Sequence, residues 1–148
     1  MGRIDKFIDF YYFLSNFYPH PLIYKGKKYG SVEHAYQAYK CVDEDEHEYI
    51  RNLDTAGKAK RAGKLIKIRE DWEDIKINLM LDLLRVKFED AELRKQLLYT
   101  DNHYLEEGNY WHDCEWGVCS CEQCKDKEKK NLLGKLLMKV RNEIINEI

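Results

Sequence analysis

The sequence predicts an α+β fold that is predominantly α-helical: a single compact domain over residues 1–148 with a few short N-terminal strands. Three observations carry this. Apolar residues recur at helical spacing from Asp43 nearly to Thr100, and again from Leu132 to Ile144. The prolines, Pro19 and Pro21, both fall early, among aromatic and β-branched residues broken by turn residues. A chain of 148 residues can bury a real core, and no linker or repeat divides it.

Each element has its own signal. Phe7–Tyr12 is aromatic and reads as a short strand. Leu22–Tyr24 and Lys27–Tyr29, joined by a Lys25-Gly26 turn, read as a hairpin. Ser31 is placed to cap a helix that runs to Lys40. Asp43 with Glu46 resembles a capping box and opens a helix carrying Tyr49, Ile50 and Leu53. Thr55 caps the next, which Gly63 bounds. Asp71 or Trp72 begins the longest helix. There Ile75, Leu79 and Leu83 form one stripe and Met80, Leu84 and Phe88 its neighbour, so it is expected at the centre of five or more helices. Asp90 caps a helix with Leu93, Leu97 and Leu98 inward. Tyr104–Glu107 reads as a short strand, residues 108–130 as a long loop, and Leu132 onward as a last amphipathic helix.

Composition narrows the function. The formal net charge is −2, which gives no global basic field for a long nucleic-acid backbone. No apolar run reaches membrane-spanning length and the first residues lack a signal-peptide core, so the expected location is the cytoplasm, away from membranes. Eleven Tyr against five Phe favour rings that also hydrogen-bond.

The chemistry-bearing residues fall in five places. On the Ser31 helix, Glu33, Gln37 and Lys40 share one polar stripe; an ordinary solvated face is the plainer alternative. Between Phe13 and Pro19, Ser15 and Asn16 lie among Phe13, Phe17 and Tyr18, so a base or sugar could rest on a ring with its edge bonded. Lys60 and Arg61 sit in a basic cluster suited to phosphate. Asp113, Trp116 and Gly117 belong to a loop with two Trp and little structural reason to hold them. Asn131 opens the last helix after Lys129 and Lys130, either as a simple cap or as an anion site. Of five Cys, four fall in Cys114–Cys124; with His112, the run Cys114, Cys119, Cys121, Cys124 has spacings that can close a structural zinc site. The spacing leaves open whether His112 or Cys114 is the fourth ligand, and whether these are simply free thiols.

Taken in order, these pieces resemble the NADAR family of N-glycosidases acting on riboflavin-pathway intermediates and ADP-ribose conjugates. The resemblance rests on Phe13–Pro19, Ser31–Gln37 with Lys40, Lys58–Gly63, Arg69–Trp72, Lys87 with Phe88, Glu107, Asp113 with Trp116 and Gly117, and Asn131 with Gly134, Met138 and Arg141. The cysteine segment and Lys129 stand where family members often have a glycine-rich turn and a glycine.

The resemblance implies cleavage of a ribose C1′–N bond through an oxocarbenium-like transition state, with no cofactor required for catalysis. Glu33 and Asp113 are the expected carboxylates. Lys40 either keeps Glu33 ionised or attacks C1′ to form a Schiff base. Trp72, Trp116, Phe13 and Tyr18 are candidates to stack on the base; Lys60, Arg61 and the helix start at Asn131 are candidates to hold phosphate. Trp72, Trp116, Tyr18 and Arg61 are expected to line one cleft with Glu33. The substrate is a small nucleotide or a single ADP-ribosylated guanine in nucleic acid. Two other classes stand beside this: a non-catalytic ADP-ribose or nucleotide reader, and a zinc-dependent interaction module.

Overall fold

The computed structural model describes residues 2–148. In chain order the first elements are β1 (Arg3–Ile4), a 3-10 helix at Asp9–Leu14, β2 (Leu22–Tyr24), β3 (Lys27–Tyr29), α1 (Val32–Tyr39) and α2 (Glu44–Arg51). There follow α3 (Ala56–Ala62), α4 (Trp72–Lys87), α5 (Ala91–Tyr99) and β4 (Tyr104–Leu105). The chain ends with β5 (Gly108–Asn109), β6 (Val118–Cys119), a 3-10 turn at Glu122–Cys124, and α6 (Leu132–Glu147). The class is α+β and predominantly helical, as the periodicities predict. Among the described residues the strands form three two-stranded sheets, β1–β4, β2–β3 and β5–β6. No helix among them is long and apolar enough to cross a membrane.

The chain divides into two compact units, Met1–Ser15 with Ala91–Ile148, and Asn16–Asp90. The continuous unit is built on α1, which packs against α2, α3, α4 and β3. Every residue of α1 from Val32 to Ala38 is buried. Fully buried Ala35 and Ala38 let its neighbours come close. This corrects the expectation that α4 is the centre. Helix α4 packs on α1 and β2 but keeps an open face carrying Glu73, Ile77, Asp82 and Arg85, so one side of it stays in water. The hairpin forms as predicted, with Lys25 (φ 50°) and Gly26 (φ 82°) both left-handed, as a tight two-residue turn requires.

Local bonds fix α1. Ser31 Oγ accepts the His34 backbone N–H at 3.2 Å and also lies 2.8 Å from His34 Nδ1. His34 Nε2 sits 2.9 Å from the Leu53 carbonyl, which can only accept. With a proton on Nε2, His34 donates to that carbonyl and bolts α1 to the segment after α2.

In the discontinuous unit, β1 pairs with β4 in parallel, Ile4 opposite Leu105. Helix α6 buries Leu133, Leu136, Leu137, Val140 and Ile144 and packs against β4 and α5. Arg141, also buried, donates to Thr100 Oγ1 at 2.8 Å. Helix α5 buries Leu93 and Leu97, while Leu98 is half-buried. The strand expected at Phe7–Tyr12 is a correction: from Asp9 on these residues form the first part of the 3-10 helix. Asp9 takes φ 53°, which breaks an extended path, and Tyr11 N–H turns back to the Ile8 carbonyl at 2.9 Å. The 108–130 region is not one open loop either, since β5, β6 and the 3-10 turn lie within it.

Replacing Ser31 with Ala removes the α1 cap and the partner of His34. Chemical denaturation is expected to show a loss of about 1–2 kcal/mol.

Candidate functional site

A buried carboxylate is held at the first turn of α1. Glu33 Oε2 accepts from Gln37 Nε2 at 2.6 Å, the geometry that i, i+4 spacing offers. Both residues are buried. Glu33 N–H donates to the Asn16 carbonyl at 3.0 Å, tying the helix start to the Phe13–Pro19 segment. Gly63, at the end of α3, lies so close that an added Cβ would overlap Gln37 Oε1. Its φ of −62° is ordinary, so glycine is needed here for space alone. Among the described residues, Gln37 Oε1 and Asn16 Oδ1 are buried carbonyl oxygens without a hydrogen-bond donor. Asn16 Nδ2 has only the weak acceptor Met80 Sδ, at 3.6 Å. Buried polar groups left so are uncommon, and a ligand hydroxyl would satisfy them.

Cations and rings of the same unit gather in pairs. Lys40 Nζ lies 5.3 Å from the Tyr36 ring centroid and 5.9 Å from that of Trp72. Tyr36 and Trp72 pack with centroids 4.9 Å apart. Trp72 is thus buried against α1, with Tyr36 and Lys40 against its ring. Lys60 lies 5.7 Å from the Phe17 ring. Lys87 lies over Tyr18 at 5.7 Å and Phe88 at 5.3 Å. It is 1% exposed, and burial holds its ammonium down to about 7. Arg61 parts from Lys60, its neighbour on α3. It lines an open cleft of about 640 Å³ with Tyr49, Leu53, Lys58 and Leu65, and Glu33 is not among the lining residues. Successive helical residues point about 100° apart, which sequence adjacency conceals.

Within the other unit, Asn109 and Asp113 wind the loop that carries Trp116 and Gly117. Asn109 Nδ2 donates to Glu107 Oε2 at 3.0 Å and to the Asp113 carbonyl at 3.0 Å. Asn109 Oδ1 accepts the N–H groups of Trp111 and Asp113 at 3.3 Å. Asp113 Oδ1 accepts from Trp116 N–H at 2.8 Å and Glu115 N–H at 3.1 Å, a side-chain-made turn. Gly117 is packed against Glu107 and Asn109, with no room for a Cβ. Phe13 is buried in the 3-10 helix and Ser15 follows it, its N–H on the Tyr12 carbonyl at 2.9 Å.

Asn131 stands at the N-cap position of α6 without a side-chain cap bond. Its amide accepts Glu107 N–H at 3.1 Å and donates to the Leu105 carbonyl at 2.9 Å. The Leu132 and Leu133 N–H groups at the start of α6 are already taken by the Glu115 and Trp116 carbonyls, at 3.1 and 3.0 Å. Sequence reasoning passed over Tyr36, Asn109 and the burial of Lys87. Only an Asn placed two and four residues before loop residues gave a signal, the spacing of side-chain-to-backbone turns.

One potential metal-ligating group occurs among the described residues: His112, Cys119, Cys121 and Cys124, with ligand atoms within 4.8 Å of one another. No disulfide joins any of the five cysteines.

A family model described as the NADAR domain matches residues 5–145. The chain is 36% identical to N-glycosidase YbiA of Escherichia coli K12, over 97% of this chain and 85% of that protein. It is 35% identical to N-glycosidase Npun_R5314 of Nostoc punctiforme, over 89% and 85% respectively. It is also 35% identical to the riboflavin biosynthesis protein VVA0006 of Vibrio vulnificus, over 89% of this chain but 35% of that longer one. The NMR structure of Escherichia coli YbiA superposes with a TM-score of 0.84 at 35% identity, covering 99% of this chain and 88% of that one.

Lys87 gives a pH prediction. Below about 7 the lysine is charged in both folded and unfolded chains, and the full cost of burying the charge is present. Above that value the folded lysine is neutral while the unfolded one keeps its proton to about 10.4. The unfolded chain then binds more protons, so the Lys87 contribution to stability rises with pH. The stability of Lys87→Met relative to the parent, measured in urea at pH 6 and pH 9, is expected to shift toward the parent at the higher pH.

Proposed function

Because the chain belongs to the NADAR family, we propose that this N-glycosyl hydrolase cleaves the bond between ribose C1′ and the base nitrogen of a nucleotide-like substrate, either a riboflavin-biosynthesis intermediate or an ADP-ribosylated guanine. The observation that carries the reading is the buried Glu33 carboxylate held by Gln37, beside the unsatisfied amide oxygen of Asn16. As the C1′–N bond breaks, positive charge grows on C1′ and the ring oxygen. A fixed carboxylate stabilises that charge or takes the proton of an attacking water. Gln37 spends one N–H on Glu33 Oε2 and so fixes the carboxylate plane before substrate arrives. Asn16 Oδ1 is suited to a ribose hydroxyl. Lys60, beside Phe17, suits a phosphate next to a ring.

Of the two expected carboxylates, the reading rests on Glu33, since Asp113 Oδ1 already holds its own loop turn. Lys40, over Tyr36 and Trp72, supplies positive charge at the far end of α1. The reaction needs water and no cofactor; a metal in the cysteine loop would be structural. A net charge of −2 favours a free metabolite or one exposed nucleotide over an extended duplex.

Glu33→Gln keeps the size of the side chain and removes its charge. Incubated with each substrate type and followed by mass, it is expected to lose about 100- to 10,000-fold in rate. Ribose 5-phosphate or ADP-ribose should still bind. Turnover within a few-fold of the parent would remove Glu33 from the chemistry. Borohydride trapping of a sugar adduct on Lys40 would then identify the Schiff-base route.

A further inference from the structure

We propose that His112, Cys119, Cys121 and Cys124 bind a structural zinc ion that clasps the loop carrying Asp113 and Trp116. The inference stands apart from the proposed reaction, because these residues touch none of the chemistry assigned to Glu33.

The donor set is the first argument. Three thiols and an imidazole with their donor atoms within 4.8 Å of one another form a Cys3His set, the soft, tetrahedral combination that suits zinc. Zn–S bonds of about 2.3 Å and Zn–N bonds of about 2.0–2.1 Å require S···N edges of about 3.6 Å around a tetrahedron. His112 Nδ1 lies 3.2 Å from Cys121 Sγ and 3.7 Å from Cys124 Sγ, on either side of that value. Four protein ligands close the coordination shell and leave no open position, which marks a structural site.

The backbone supplies the second argument. Cys119 Sγ receives two backbone N–H groups, from His112 at 3.3 Å and Cys121 at 3.5 Å. Paired amide donors on one sulfur are what a metal-bound thiolate uses to spread its charge. Cys119 and Cys124 are buried, 1% and 0% exposed. His112 adopts φ 75°, an uncommon conformation for a residue with a side chain, at the turn that brings its ring beside the thiols. The geometry favours His112 over Cys114 as the fourth ligand: His112, Cys119, Cys121 and Cys124 are the set whose donor atoms all lie within 4.8 Å of one another, whereas the Cys114 thiol interacts with Cys124 from outside that set.

The position gives the ion its task. His112 directly precedes Asp113, whose carboxylate builds the turn at Glu115 and Trp116. Cys119 ends β6, which pairs with β5 beside Asn109. The ion would close residues 112–124 from both ends. Three thiolates with one divalent ion leave a single negative charge, in a stretch whose four lysines, Lys125, Lys127, Lys129 and Lys130, are interleaved with Glu122, Asp126 and Glu128. Lys129 Nζ already donates to the Cys124 and Lys125 carbonyls.

The test is metal analysis of the full chain purified in reducing buffer, with cobalt(II) substitution. About one zinc per chain is expected. Cobalt should give the intense visible bands of a tetrahedral thiolate site and near-ultraviolet sulfur-to-metal bands. Cys119→Ser, Cys124→Ser and His112→Ala should each lower metal content at least about ten-fold, in line with loss of a ligand. Cys114→Ser and Cys41→Ser should retain it. A parent chain that takes up neither zinc nor cobalt when both are supplied in excess overturns the proposal, as does thiol titration that finds a disulfide among these cysteines. Loss of metal in Cys114→Ser with retention in His112→Ala overturns the ligand set. The parent and Cys114→Ser measurements keep the test decisive even if a ligand variant fails to fold.

Discussion

The Asn16–Asp90 unit depends on one buried bond, that between Glu33 and Gln37. A carboxylate taken out of water is costly unless its oxygens are occupied. Helical spacing provides the amide four residues on, and the absence of a side chain at Gly63 lets α3 close against the other end of that amide. The rest follows from burying α1 on all sides. Ser31 and His34 anchor its start, Ala35 and Ala38 let neighbours approach, and Tyr36 packs on Trp72. The unit thereby keeps the Glu33 carboxyl group fixed and nearly dry.

Much of this was legible in the sequence, for physical reasons that differ from element to element. Caps at Ser31, Asp43 and Thr55 act within four residues, so local chemistry predicts them, and each accepts the N–H it should. The Lys25-Gly26 turn is equally local. The centre of the core was less so. Helix α4 has the longer apolar pattern, but α1, with Glu33, His34 and Gln37 among its buried residues, reads as polar until tertiary bonds satisfy them. Phe7–Tyr12 has strand-like composition, but composition does not reveal the left-handed Asp9. Likewise the divergence of Arg61 from Lys60 and the use of the Asn131 amide by the Leu105 carbonyl were not readable, because both depend on tertiary placement.

The polar side chains of the two units solve different problems. In the Asn16–Asp90 unit, Glu33 and Lys87 are buried, and the proposed function gives the Glu33 carboxylate its task. In the discontinuous unit, Asn109, Asp113 and Asn131 spend their side chains on backbone groups, and so turn a long irregular stretch into defined structure. The second kind explains how a loop with little regular structure holds Trp116 and Gly117 in place. Asp113 Oδ1 takes part in it by accepting the Glu115 and Trp116 N–H groups.

The most direct measurement of the central claim is a product analysis of the unmodified protein. It would be incubated separately with a riboflavin-pathway nucleotide and with an oligonucleotide carrying ADP-ribosylated guanine. Release of ribose 5-phosphate or ADP-ribose together with the intact free base, each identified by mass, is the result expected from cleavage at C1′–N. Binding of both substrates without release of either sugar, or breakage at the phosphate instead of the glycosidic bond, would contradict it.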